Sequence, residues 1–183
     1  GLFRSYVTGR LYNKTVVESI RFPLNVHLAE DQIFNSMIAA CGKEWKICLV
    51  DKCQYFYFMR DDSLVHSCSN RAYYDVCRWY LEHLDLFHQK GYVIQQAFRS
   101  ILNYRYRTRV CGEGKTAQKD ARETIKTCLH HLWREQSISV KNKMLFTVAS
   151  ISPSLYRTSL IIKDRTILDW EKLVKEQISA KET

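Results

Sequence analysis

YYDVCRWYLEHLDLFHQKGYVIQQAFRSIL, residues 73–102, is the stretch whose period decides the class of the fold. Tyr73, Val76, Cys77, Tyr80, Leu81, Leu84 and Phe87 recur at three- and four-residue intervals, which predicts one amphipathic helix ending near Gly91. Val93, Ile94, Ala97, Phe98, Ile101 and Leu102 repeat the pattern and predict a second helix. Working towards the C-terminus, Thr116–Gln136 reads as a third helix, with Ile125, Cys128, Leu129 and Leu132 facing inward. Pro153 interrupts the helical segment Val140–Ile162, because proline lacks the amide donor a helix interior requires. Thr166 and Asp169 then resemble a capping arrangement that opens a last helix.

Towards the N-terminus the period changes. Ser5–Tyr12 alternates as a strand does, Lys14–Ser19 suits a short helix, and Phe22-Pro23 breaks it. Ile33, Phe34, Met37, Ile38 and Cys41 return to helical spacing and stop at Gly42. Trp45–Val50 and Gln54–Met59, rich in β-branched and aromatic residues and split by Asp51-Lys52, read as two short strands. The expectation is a mainly helical α/β chain: a small partial sheet within residues 1–68, followed by a helical bundle extension over residues 69–183.

Composition is that of a folded chain. At 183 residues and 46% hydrophobic, the sequence can bury one core, and two prolines and six glycines speak against low complexity. Seven cysteines (41, 48, 53, 68, 77, 111, 128) are odd in number and several sit in apolar runs, so they read as reduced, buried small hydrophobes of a cytoplasmic protein. No run approaches the roughly 18 apolar residues a membrane span needs. Charge is uneven: Val93–Arg165 holds fourteen Lys and Arg against five Asp and Glu, so the whole surplus of nine lies in the C-terminal half. A basic face of this kind gathers anions, whether lipid headgroups, lipid-linked diphosphates or nucleic acid; its plain alternative is a solvated helical surface.

Four segments in fixed order carry a resemblance: VTGRLYNK (7–14), IRFPLN (20–25), AEDQIF (29–34) and ICLVDKCQYFYFMRDDS (47–63). Together they resemble the acceptor-side, C-terminal half of a family 2 glycosyltransferase of the GT-A type. In that family the Asp of the Glu-Asp pair opening a helix is the base that deprotonates the acceptor, so the resemblance implies Asp31 as catalytic residue with Glu30 as its neighbour. Spacing alone would make the pair ordinary first-turn acids. The resemblance further implies acceptor or diphosphate contacts from Arg60, Ser63 and Tyr12, and a metal contact from His66. The family's donor-side strand and Asp-x-Asp cluster do not occur ahead of this block, so the chain reads as a fragment of such an enzyme, inactive by itself. Its implied partners are a nucleotide-sugar donor and a glycan or lipid-linked acceptor in cell-surface polysaccharide synthesis. A divalent metal, magnesium or manganese, belongs to the full-length enzyme and none is expected in this fragment. The implied location is cytoplasmic, peripheral on the inner face of the membrane.

Other motifs fall away. Gly112-Glu-Gly-Lys-Thr has Arg109 where a phosphate-binding loop needs its first glycine, and follows a helix rather than a strand. Cys128, His130 and His131 lack a second pair at zinc spacing. Tyr104-Arg-Tyr-Arg-Thr-Arg interleaves aromatics with cations, as stacking on nucleic acid or seating at a lipid interface requires. The second reading is therefore a basic, non-enzymatic helical module binding nucleic acid or an anionic surface; of these partners nucleic acid is the less favoured.

Overall fold

The computed structural model describes residues 11–26, 29–40 and 71–163. Seven α-helices occur among them: α1 (Lys14–Val17), α2 (Glu30–Ala40), α3 (Arg71–Glu82), α4 (Lys90–Val110), α5 (Lys115–Arg134), α6 (Val140–Ile151) and α7 (Pro153–Lys163). A 3-10 turn, Leu84–Leu86, joins α3 to α4.

The α/β expectation is corrected by this architecture: the described residues are mostly helical and contain no strand. Trp45–Val50 and Gln54–Met59 lie outside the described residues, as does most of Ser5–Tyr12. At the end of that last segment, Leu11 is fully solvent-exposed and Asn13 accepts a hydrogen bond from the Thr15 amide at 3.0 Å, capping α1. Tyr12 packs edge-on against Phe34 of α2, ring centroids 5.9 Å apart.

The core is built around α4. Val93, Ile94, Ala97, Phe98, Ile101, Leu102, Tyr104, Tyr106 and Thr108 are all buried, on more than one side of the helix, which marks a central helix rather than a surface one. α3 and α5 pack along it, and α6 and α7 close its remaining side through Phe146, stacked 5.2 Å from Phe98, and Tyr156, edge-on to Tyr106. Ile33 of α2 joins the same core as Val76 and Tyr80 of α3.

Helix ends follow local chemistry. α4 terminates at Gly112, whose φ of 67° is natural only for glycine; Gly112 N–H donates to the Arg109 carbonyl and Glu113 N–H to the Thr108 carbonyl, the paired bonds of a Schellman cap. Gly112-Glu-Gly-Lys is thus a helix stop. Ser139 caps α6 and Ser152 caps α7, with Pro153 at the first helical position where its missing amide costs nothing. Gly91, read from sequence as a helix end, is buried inside the first turn of α4. A Cβ there would crowd the Ser137 and Ile138 side chains of the α5–α6 connection, which would have to shift to admit it.

Candidate functional site

α2 is the element that would present the candidate base. Glu30 and Asp31 occupy its first turn, half-exposed. The next turns are fixed: Ile33, Phe34 and Ile38 are buried, and so are Asn35 and Ser36. Tyr12 donates its hydroxyl proton to Asn35 Oδ1 at 2.7 Å, Phe22 stacks on Phe34 at 4.4 Å, and Gln32 donates to Gln96 Oε1 of α4 at 3.0 Å. Asn35 stands one turn beyond Asp31 on the same side of the helix, so Tyr12 braces the surface on which Asp31 lies. The chain enters α2 through Ala29 at φ 57°, a left-handed conformation that costs a non-glycine residue of order 1 kcal/mol. The Ile33 amide nevertheless reaches the Ala29 carbonyl at 3.0 Å, closing the first helical turn.

Ser36 donates its proton to the Gln32 carbonyl at 2.8 Å, which leaves its oxygen to accept from Tyr80, 3.4 Å away. Burial pushes the Tyr80 phenol up to about 12. This buried pair ties α2 to α3 by a polar contact that only one relative position of the helices satisfies.

The segment preceding α2 forms one wall of a cleft of about 470 Å³. Leu24, Asn25 and Val26 face Asp75, Arg78, Trp79, Glu82 and His83 across it. Those α3 residues and the one that follows the helix recur at three- and four-residue intervals, the polar face opposite the core stripe. Arg78 donates Nε–H to Glu82 at 3.0 Å and its charge is favoured by that hydrogen bond; Arg71 pairs with Asp75 at 3.4 Å. His83 stacks on Trp79 at 4.3 Å and meets the Trp79 carbonyl at 2.8 Å. This cleft is not visible in the helical period alone. Its signal was the regular placement of Asp75, Arg78, Trp79, Glu82 and His83, and the missing information was that residues 24–26 fold across it.

Of the residues singled out from sequence, the structure thus brings Tyr12 onto the helix that carries Glu30 and Asp31. The Tyr12 hydroxyl is occupied by Asn35, which makes it a brace for that helix. Arg60, Ser63 and His66 lie outside the described residues. Among the described residues no group of three His, Cys, Asp or Glu side chains could hold a metal. His130 and His131 set their rings nearly perpendicular, 5.8 Å apart. Burial, His130 and Arg134 together lower the His131 pKa. Cys77 and Cys128 are fully buried thiols in contact, Sγ to Sγ 3.7 Å; the hydrogen bond from one to the other and burial hold the Cys128 proton on.

The cation and aromatic stretch Tyr104–Arg109 is built into the core. Tyr104 and Tyr106 are 2% exposed. Tyr104 lies 5.3 Å from Tyr74, and Arg107 covers the Tyr73 ring at 4.7 Å. Arg105 donates to the Ser150 carbonyl and, at 3.5 Å, to the Ile151 carbonyl, satisfying the end of α6. Burial, with Arg122 and Arg109 nearby, lowers its pKa. Stacking on nucleic acid or insertion at a lipid interface needs rings that face outward, and these do not. No helix among the described residues is long and apolar enough to cross a membrane.

Comparison with protein-family models, with curated protein sequences and with solved structures gives no match.

Proposed function

We propose that this chain supplies the acceptor-side surface of an inverting glycosyltransferase, moving a sugar from a nucleotide-sugar donor to a glycan or lipid-linked acceptor on the cytoplasmic side of a membrane. Asp31 is the general base, and Glu30 orients the acceptor beside it. The acceptor hydroxyl gives its proton to the Asp31 carboxylate as its oxygen forms the bond to the anomeric carbon, and the nucleoside diphosphate departs from the opposite face with its electron pair. The observation that carries the reading is the setting of Glu30-Asp31: a half-exposed first turn whose following turns are held by buried Ile33, Phe34 and Asn35 and by the Tyr12 brace. A base must sit within hydrogen-bond reach of its proton in a fixed position, and rigidity of this kind supplies that. The mixed polar and aromatic cleft lined by Trp79, Asp75 and Glu82 suits a saccharide and gives the acceptor a second point of contact.

The resemblance covers only the acceptor side of such an enzyme, so residues 1–183 alone are expected to be inert. The test is sugar transfer by the enzyme that contains this chain, with Asp31→Asn against wild type. Turnover should fall about 10²- to 10⁴-fold with donor binding unchanged. A loss of less than about threefold removes Asp31 from the role, since general base catalysis contributes far more than that.

A further inference from the structure

α6 turns the wrong side outward for a helix on a water-facing surface. Its inner residues are Lys143, Phe146 and Ser150. Its outer face consists of Val140, Lys141, Met144, Leu145, Val148 and Ile151, five apolar residues and one cation, the apolar ones 45% to 69% exposed. At 100° per residue they fall within an arc of about 140° on the helix wheel. Trp133 extends this face: its indole N–H donates to Thr147 of α6 at 3.2 Å while the ring stays half exposed. The Lys143 ammonium, which would otherwise compete for water here, is turned inward to the Trp133 carbonyl at 3.1 Å. A solvated helix would carry polar residues in these places, and a contiguous apolar face of this kind marks a surface that meets something.

Charge identifies the partner. Val140–Lys163 contains Lys141, Lys143, Arg157 and Lys163 and not one Asp or Glu, and exposed Arg134 stands next to Trp133. The cleft lined by Asp75, Arg78 and Trp79 does not include α6. A lipid surface asks for no socket. It accepts apolar side chains to a depth of about 5–10 Å and places its anionic headgroups level with flanking cations and an indole ring. We propose that the outer face of α6 seats this protein in the plane of an anionic bilayer surface, with Met144, Leu145, Val148 and Ile151 entering the acyl boundary and Lys141 and Arg134 at the headgroups. The proposal stands independently of the glycosyl-transfer reading, since it uses none of the same residues.

The experiment is co-sedimentation of the 183-residue chain with vesicles of mixed phosphatidylcholine and phosphatidylglycerol, and with vesicles of phosphatidylcholine alone. Wild type should bind the mixed vesicles and release with added salt. Met144→Gln with Val148→Gln should lower partitioning at least about tenfold, equivalent to about 1.4 kcal/mol, with helix content and melting temperature unchanged because both side chains are already exposed. Lys141→Gln should lower it roughly fivefold, the effect of one cation near an anionic surface. Light scattering on the same samples reports self-association. Failure of the wild-type chain to bind mixed vesicles, equal binding to neutral ones, or unchanged binding by the double variant overturns the proposal. A dimer that the double variant dissociates overturns it as well and assigns the face to a second copy.

Discussion

Tyr104–Arg109 and Val140–Ile151 each lie on the side of the protein surface opposite to the one their composition suggests. The first is half cationic and looks like an exterior stretch, yet its tyrosines are buried and Arg105 is spent on the last carbonyls of α6. The second has a core-like composition, yet five of its apolar residues face outward. Neither stretch is intrinsically inside or outside; α4 has neighbours on several sides, and α6 is covered on one. A long side chain reconciles the first case, because Arg and Tyr place apolar stems against a core while their polar ends reach a carbonyl or the rim. Nothing in the described residues reconciles the second, and the outer face of α6 stays apolar and exposed among them.

The largest expected effect sets one stacked pair across that boundary. Phe98 is fully buried against Phe146, so Phe98→Ala should cost about 3–5 kcal/mol of unfolding free energy. Leu145→Ala, one residue from Phe146 but on the outer face, should stay within about 0.5 kcal/mol. Urea denaturation of both variants checks the contrast. Comparable losses would show that the outer face of α6 is packed by the protein itself, and the comparison between the two stretches would fail.

Buried phenols give the second test, through pH. Burial raises the Tyr80 phenol from its ordinary 10 to about 12, and the Tyr156 phenol rises for the same reason. A folded-state pKa above the unfolded one means that the unfolded chain loses its proton first. The stability contributed by keeping Tyr80 neutral is therefore fully present below pH 10 and is lost as pH rises through about 12. For Tyr80 alone the loss amounts to about 2–3 kcal/mol at 1.36 kcal/mol per pH unit. Subtracting the alkaline profile of Tyr80→Phe from that of wild type isolates it from lysine titration. A flat difference profile would mean that the Tyr80 phenol is solvated rather than buried between α2 and α3.

Much of the helical body was legible from period alone. The stripe at Val93–Leu102 and the break at Pro153 fall where the sequence pattern puts them, because each depends on neighbours within a few residues, whereas the stripe Tyr73–Phe87, expected as one helix to near Gly91, divides: α3 ends at Glu82 and a 3-10 turn follows over Leu84–Leu86. Gly91 was misread for the opposite reason: its role depends on Ser137, forty-six positions away, which no local pattern reveals. The strand expected to reach Tyr12 failed at its described end in the same manner, since Asn35 and Phe34 hold that side chain from a distant helix. The Glu30-Asp31 turn was visible as a motif, while its brace through Tyr12 and Gln96 and the cleft behind Asn25 were not. Exposure was the least legible property, because it belongs to the assembled layers rather than to any one helix.

The smallest effect is the most discriminating. Arg105→Met keeps the aliphatic stem but removes the donors to the Ser150 and Ile151 carbonyls. A buried carbonyl left unsatisfied costs about 1–3 kcal/mol. Relief of the repulsion from Arg109 and Arg122, and of the burial that lowers the Arg105 pKa, should offset part of this, leaving a net loss of about 1–2 kcal/mol, or roughly 2–4 °C of melting temperature per kcal/mol for a chain of this size. Arg109→Met, on an exposed site of the same helix, should shift stability by no more than about 0.5 kcal/mol. The two variants have the same formal charge, so a membrane contact made by the net charge of α4 would weaken equally in both. If α4 holds the end of α6 and the outer face of α6 does the docking, stability falls in Arg105→Met alone and vesicle binding by the folded protein falls in neither. A shared loss of vesicle binding with no difference in melting would return the function to the cation-rich stretch and leave α6 an ordinary, if apolar, surface helix.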